Sequence, residues 1–206
     1  MLEELVRRAA EELRLRERAI DEVMTRARRA RVLSKQAIQQ IHSGAIEEAE
    51  EKIREAGVLL REMDGIISDH AEIGGFEQVG AAREEYSEAS IIHRLKASNA
   101  FPSPEEIGVS TSMYLMGLGD VPGELRRQAL DALRMGDLGR AESLLETMER
   151  IYLSLISMEE APYLRGLRRK LDVARGVIER TRSEITAEAG RRRLDESVRR
   201  LAEKLE

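Results

Sequence analysis

The sequence predicts an all-α fold, organised as a single-domain bundle of about seven helices with a long helix at the N-terminus. Aromatic residues make up only 3% of the chain and tryptophan is absent, so a sheet-based core would be hard to build. Residues 2–42 contain no glycine or proline, and their apolar residues recur every three to four positions. All four prolines, at positions 102, 104, 122 and 162, lie from the middle of the chain onward, where they separate shorter helices. A chain of 206 residues is long enough for one sizeable α domain, which we expect to span residues 1–206.

Composition excludes several classes of protein. There is no cysteine, so a disulfide framework, a zinc–thiolate site and a thiol nucleophile are all absent. The N-terminus does not read as a secretory signal, and no apolar stretch approaches the ~20 residues of a membrane span. We therefore expect a soluble, cytoplasmic protein without a membrane partner. The net charge of −5 argues weakly against a constitutive nucleic-acid binder, although residues 26–31 and 191–193 form basic runs.

The first half of the chain predicts three helices. The first runs from Leu2 to about His42 and ends at Ser43-Gly44, where glycine can adopt the left-handed capping conformation. It is far longer than the mean helix of ~11–12 residues, so we expect part of it to pack on another subunit. The second helix covers residues 45–69, and the Gly74-Gly75 pair separates it from a third at residues 76–97.

Shorter helices are predicted in the second half. Ser103-Pro104-Glu105-Glu106 has the pattern of a helix start, and residues 113–134 form an apolar-periodic segment interrupted by Pro122. Pro122 either kinks one helix or marks a fresh start with Asp120 as the N-cap. Further helices are expected at residues 138–157 and after Pro162, to about residue 184. A separate, highly charged helix at residues 191–205, within the C-terminal segment 191–206, has the apolar stripe of a partner contact.

Two pairs of acidic residues are the candidates for chemistry. Glu85 and Glu88 are three apart, and Asp120 and Glu124 are four apart, so the members of each pair share a helix face. The three-residue spacing of Glu85 and Glu88 is not diagnostic, because the pairs Glu47/Glu50, Glu48/Glu51 and Glu146/Glu149 have the same spacing. The apolar neighbours of Glu85 and Glu88 make an unpaired charge expensive, which leaves metal ligation or an arginine partner as solutions. Our hypothesis is that the two pairs meet around a divalent metal, Mg²⁺ or Mn²⁺.

Two other metal-dependent designs fit less well. A ferritin-like di-iron site needs Glu-x-x-His on two helices, but the residues three positions before the three histidines are Gln39, Ile67 and Ser90. All-α nucleotide pyrophosphatases use a Glu-Glu-x-x-Glu helix, which Glu84, Glu85 and Glu88 reproduce. Their second motif, Glu-x-x-Asp, is not matched by Asp120 and Glu124.

A longer pattern resembles the translin superfamily, most closely its Trax (translin-associated factor X) branch. The pattern consists of Glu85-Tyr86-Ser87-Glu88-Ala89, the stretch from Tyr114-Leu115-Met116-Gly117 through Asp120-Val121-Pro122-Gly123-Glu124 to Leu125-Arg126-Arg127, and Gly136-Asp137. Ser34-Lys35 and His42 fit the first family helix. Pro122 inside the motif and a loop before residue 110 that is shorter than in animal relatives depart from the family.

The resemblance implies a seven-helix fold that assembles into a hollow, octamer-like homo-oligomer, with or without a translin-like partner. It also implies a Mg²⁺-dependent endoribonuclease that cuts single-stranded RNA inside the shell. The family's acidic residues fall on Glu85, Glu88 and Asp120, with Glu124 as a further acid, and these would be both catalytic residues and metal ligands. The residues expected to contact RNA are Arg28, Arg31, Lys35 and His42. For His42, an interaction with the carbonyls at the helix end is the alternative.

Two alternatives to the nuclease stay open at this stage. One is a non-catalytic, translin-type RNA-binding oligomer in which the acids are paired with arginines. The other is an all-α nucleoside triphosphate pyrophosphatase.

Overall fold

The computed structural model describes residues 1–158, 160–161 and 164–205, and it confirms the all-α fold class. The described residues form eight α-helices, one of them a single turn, and no strand. Their bounds are α1 Leu2–Ser43, α2 Ile46–Asp69, α3 Glu77–Ser98, α4 Pro104–Ile107, α5 Thr111–Leu118, α6 Val121–Arg134, α7 Leu138–Ile156 and α8 Leu167–Ala202, with a 3₁₀ helix at Ala71–Gly75. The helix predicted after Pro162 begins at Leu167, and Pro162 itself lies outside the described residues.

The chain divides into two compact units, Met1–Gly117 and Leu118–Glu206, and each is described by itself. In the first unit α1, α2 and α3 pack on one another around a continuous apolar core. Alanines of α1 let the neighbouring helices approach closely, and larger side chains fill the remaining space. The core members are Ala19, Val23, Ala27, Ala30 and Leu33 of α1, Ala56, Leu60 and Met63 of α2, Ile73, and Val79, Ala82 and Tyr86 of α3.

The first helix extends well beyond this core. Its first buried residue is Ala19, and residues 2–18 are exposed apart from the half-buried Ala10. The exposed part carries large apolar side chains, namely Leu2, Leu5, Val6, Leu13 and Leu15. At the other end α1 stops as predicted, with Gly44 in the left-handed conformation at φ 86° and its N–H bonded to the last carbonyls.

The second unit is a three-helix arrangement of α6, α7 and α8. Its buried side chains recur at helical spacing and include Leu125 and Ala129 of α6, Leu145, Met148 and Ile151 of α7, and Leu171, Ala174 and Ile178 of α8. The prediction of a separate C-terminal helix at residues 191–205 is wrong, because α8 runs without a break from Leu167 to Ala202. A single glycine, Gly190, costs a helix only about 1 kcal/mol and does not end it.

The structure decides between the two interpretations of Pro122. A new helix begins at Val121, and Pro122 occupies its first turn, where a missing N–H is tolerated. Asp120 takes the position before this helix, but its side chain makes no capping hydrogen bond to the helix backbone. The Asp120 carboxylate is therefore available for another partner.

None of the helices in the described part of the chain combines the length and apolar character needed to cross a membrane.

Candidate functional site

Glu85 and Glu88 lie in the middle of α3, the most deeply buried helix of the first unit. Residues 86–92 are all buried, and Glu88 itself is only 8% exposed. Two serines of this segment, Ser87 and Ser90, donate their hydroxyls to carbonyls one turn earlier, so their burial leaves no unmade donor. The carboxylate of Glu88 thus belongs to a largely desolvated part of the molecule, where a charge must be balanced by a partner.

Glu85 is held by two cations from α1. Arg31 Nε donates to Glu85 Oε2 at 3.4 Å, and Lys35 Nζ lies 3.8 Å from the same oxygen. The Glu85 side chain is 17% exposed, whereas the Arg31 and Lys35 side chains are 50% and 55% exposed. The sequence left open whether an acid in this segment is balanced by a metal or by a basic side chain. In the structure Glu85 has basic partners.

Tyr86 lies between the two glutamates in the sequence, and the pKa of its hydroxyl shows that this segment is shielded from water. Burial raises the pKa of its hydroxyl above the ordinary value, and Ser90 and the charge of Arg61 only partly offset that effect. Its hydroxyl lies against Gly57 of α2, where an added Cβ would come within 2.9 Å of it. Tyr86 therefore fixes α2 against α3 at the level of the candidate site.

Gly117, in the last turn of α5, brings the chain against the backbone of α3 at this same level. A Cβ at this position would meet Glu84 O at 2.7 Å, Ser87 Cβ at 2.7 Å and Glu88 N at 2.9 Å. Such distances are shorter than real side chains tolerate, so only glycine fits. Gly117 is thus needed for close packing against the turn that carries the glutamates.

Asp120 and Glu124 lie in the second unit, at the start of α6. Lys170 of α8 donates to Asp120 Oδ2 at 2.5 Å, and the Lys170 side chain is largely buried. Glu124 is half-buried in the first turn of the helix, where a negative charge is favoured by the helix dipole. That the pair Asp120/Glu124 meets the pair Glu85/Glu88 at one metal stays a prediction.

The four residues predicted to contact RNA all lie on α1. Arg28 and Arg31 are exposed, and with Lys35 they follow one another at intervals of three and four, which places them on one face of the helix. The Arg28 Nε donates to Met24 O of its own helix at 3.3 Å. His42 is half-buried in the last turn. Their contact with RNA stays a prediction, and Arg31 and Lys35 have the additional role of partners to Glu85.

Lys170 is a residue of the site that the sequence does not mark. It is 50 residues from Asp120, and only its place in the basic run Arg168-Arg169-Lys170 distinguishes it. No spacing rule predicts this contact, because it depends on tertiary packing. His93, one turn beyond Ala89 on α3, lines a cavity of about 410 Å³ in the first unit, and its Nε2 is buried without a hydrogen-bond partner among the described residues.

The acidic residues suit a hard divalent cation in their chemistry. Across residues 1–158, 160–161 and 164–205, no group of three or more His, Asp or Glu side chains is placed to hold a metal ion. Mg²⁺ does not require such a group, because it keeps several waters and is usually bound through one or two carboxylates together with substrate phosphate. The pair Glu85/Glu88, with oxygen donors on one buried helix, fits that partial ligand set.

Comparison with known proteins gives a consistent result. A model of the Translin family matches residues 2–182. An uncharacterized protein of Methanocaldococcus jannaschii is 28% identical over 166 residues, which cover 80% of this chain and 73% of that protein.

Solved structures of C3PO proteins superpose on most of the chain. AfC3PO in a complex with duplex RNA matches with a TM-score of 0.82 and 36% identity, covering 93% of this chain and 98% of that one. A crystal structure of AfC3PO matches with a TM-score of 0.81 and 38% identity, covering 93% and 99%. Apo-NeC3PO matches with a TM-score of 0.82 and 27% identity, covering 89% and 96%.

Proposed function

Because the chain belongs to the Translin family, we propose that it is an RNA-processing protein, specifically a metal-dependent endoribonuclease that acts as a homo-oligomer. The observation that carries the proposal is the acidic pair on α3: Glu88 is buried, Glu85 lies one turn away, and Gly117 lies against the same turn. A carboxylate pair is not needed to fold a helical bundle, and burying one is costly. Function is the simplest reason for its presence.

RNA is the proposed substrate. The related AfC3PO has been solved in a complex with duplex RNA, and it aligns with almost all of this chain. The basic face of α1, formed by Arg28, Arg31 and Lys35, lies beside Glu85 and would contact phosphates. Single-stranded RNA is the substrate that we propose for cleavage. Duplex RNA should be assayed beside it, because the related AfC3PO complex contains duplex RNA.

The proposed chemistry is hydrolysis of a phosphodiester bond. Glu85 and Glu88, with Asp120 and Glu124, would hold Mg²⁺ or Mn²⁺, which when bound lowers the pKa of water and neutralises charge on the phosphate. The buried Glu88 carboxylate would accept the proton of the attacking water. Arg31 and Lys35 would orient the RNA backbone, a contact that weakens as the salt concentration rises.

Assembly with further copies of this chain would cover the apolar parts of the two long helices. Leu2, Val6, Ala9 and Leu13 of α1 follow one another at intervals of four, three and four, and Leu194, Val198, Leu201 and Leu205 repeat that spacing near the C-terminus. The leucines and valines of both stripes are more than half exposed. Stripes of this spacing favour helix-to-helix packing between chains, and an octamer-like shell is the arrangement we propose.

A non-catalytic RNA-binding oligomer is the second candidate. It is favoured by the basic partners of two of the acids, Arg31 and Lys35 on Glu85 and Lys170 on Asp120, because such pairs can serve packing alone. The two candidates differ in whether RNA is cut when a divalent metal is present. The pyrophosphatase alternative has no comparable support from the comparisons.

A cleavage assay on end-labelled RNA separates the candidates. We expect cleavage of a single-stranded RNA in Mg²⁺ or Mn²⁺, none in EDTA, and a loss of at least about a hundredfold in Glu88→Gln, the scale of a positioned acid–base group. Glu47→Gln is the matched control, since Glu47 belongs to an exposed pair of the same spacing on α2. Binding of RNA without cleavage in any divalent metal would favour the second candidate.

A further inference from the structure

The contact between Glu85 and the basic face of α1 has a consequence for metal binding. Arg31 and Lys35 both approach Glu85 Oε2, at 3.4 Å and 3.8 Å. A carboxylate oxygen that accepts a cation on this side cannot offer the same lone pairs to a metal. Two positive charges within 4 Å also repel a dication that approaches the oxygen.

Glu85 is held more firmly in place than its two basic partners, Arg31 and Lys35. Glu85 is anchored on the buried helix α3, and its side chain is 17% exposed. Arg31 and Lys35 are about half exposed on long, flexible side chains, so they can swing into solvent at small cost. Exposed ion pairs of this kind contribute little to stability, which means that a competing cation can displace them.

We propose that Arg31 and Lys35 act as an electrostatic latch on Glu85, which a divalent metal must displace before Glu85 can become a ligand. This inference rests on the proposed metal site and adds a regulatory role for the two basic residues, which are otherwise assigned only to RNA. In the metal-free protein the latch neutralises Glu85 and keeps the neighbouring carboxylates of α3 from repelling each other. Binding of the metal releases both cations to the open face of α1.

The test is an equilibrium titration of the full chain with Mn²⁺ alone, in which electron paramagnetic resonance counts the unbound ion and no RNA is present. The latch predicts that the double variant Arg31→Gln/Lys35→Gln binds Mn²⁺ about tenfold more tightly than the wild type at low salt. The difference should shrink as the salt concentration rises. A thermal melt of each variant checks that it is folded.

Arg29→Gln is the matched control. Arg29 lies on the same helix, is similarly exposed and pairs with Glu55 of α2 at 3.1 Å, so its loss removes a comparable ion pair without touching Glu85. Its Mn²⁺ affinity should equal that of the wild type. If the double variant bound Mn²⁺ no more tightly than the wild type or Arg29→Gln, the latch would be refuted.

Glu88→Gln separates this failure from failure of the metal site. Wild-type binding that Glu88→Gln weakens, together with an unchanged double variant, overturns the latch and leaves the proposed function standing. Wild-type binding that Glu88→Gln does not weaken overturns both.

Discussion

Replacing Gly117 with alanine should force α5 away from α3 at the turn that carries the candidate glutamates. The new Cβ would lie 2.7 Å from Glu84 O and from Ser87 Cβ, and 2.9 Å from Glu88 N. Ordinary contacts begin at 3.4 Å, so the two helices must separate locally by about 0.7 Å, the difference between 2.7 and 3.4 Å. Two of the three atoms belong to backbone, which cannot rotate away as a side chain would.

The expected cost follows from the size of that displacement. Overpacking of a close-packed interior by one methyl group costs about 1–3 kcal/mol. Alanine recovers roughly 0.5–1 kcal/mol of this because it favours a helix more than glycine does. The net loss of about 1–2 kcal/mol should lower the Tm by roughly 2–8 °C in a chain of this size. Because Glu88 N is one of the atoms displaced, the proposed RNA cleavage should fall as well.

The assay is thermal and urea denaturation followed by circular dichroism, with Gly80→Ala as the control. Gly80 lies on α3 itself, but a Cβ there meets only the sulfur of Met113 at 3.9 Å, an ordinary contact. Gly80→Ala should therefore be as stable as the wild type or gain up to about 1 kcal/mol. Equal stability of Gly117→Ala and Gly80→Ala would show that the close approach of α5 to α3 is not a constraint.

Three further predictions concern stability. Arg126→Ala removes two hydrogen bonds of 2.9 Å to Glu184 and one of 3.0 Å to Thr181. The free energy of unfolding, measured by urea denaturation, should fall by about 1–2 kcal/mol. An unchanged urea midpoint would contradict this. Burial raises the pKa of the Tyr86 hydroxyl above 10.0. Its contribution to the free energy of unfolding is therefore fully present below pH 10 and is lost as pH rises through the raised pKa. In Tyr86→Phe the fall in unfolding free energy above pH 10 should be shallower, and an equally steep fall would refute that assignment. Gly190→Ala, with open space around its Cβ inside α8, should raise the Tm, whereas a lower Tm would argue against the continuous helix.

Patterns that extend over a single helix could be read from the sequence. The 3.6-residue period and the Gly44 cap predict α1 almost to the residue, and the Gly74-Gly75 pair ends the 3₁₀ helix that separates α2 from α3. The sequence does not predict the continuous α8, because the part of this helix around Gly190 carries few apolar residues and has the pattern of a break. Apolar periodicity predicts a helix least well where that helix extends beyond the hydrophobic core into solvent.

Contacts between distant parts of the chain could not be read in the same way. Arg31 and Glu85 are 54 residues apart, and only the packing of α1 on α3 brings the two together. The sequence left open whether a buried acid here would find a metal or a basic partner, since both satisfy the same electrostatic need. Gly117 is part of a sequence motif, but the reason for it is visible only in the fold, where the backbone of α3 lies less than 3 Å from its Cβ position.

The most direct test of the nuclease proposal is a Mg²⁺ titration of single-stranded RNA cleavage, with the native mass measured on the same sample. We predict saturable, Mg²⁺-dependent cleavage by an oligomer of this chain, and an oligomer of unchanged mass without cleavage in Glu88→Gln. A correctly assembled wild-type oligomer that binds RNA but leaves it intact at every Mg²⁺ concentration would contradict the proposal.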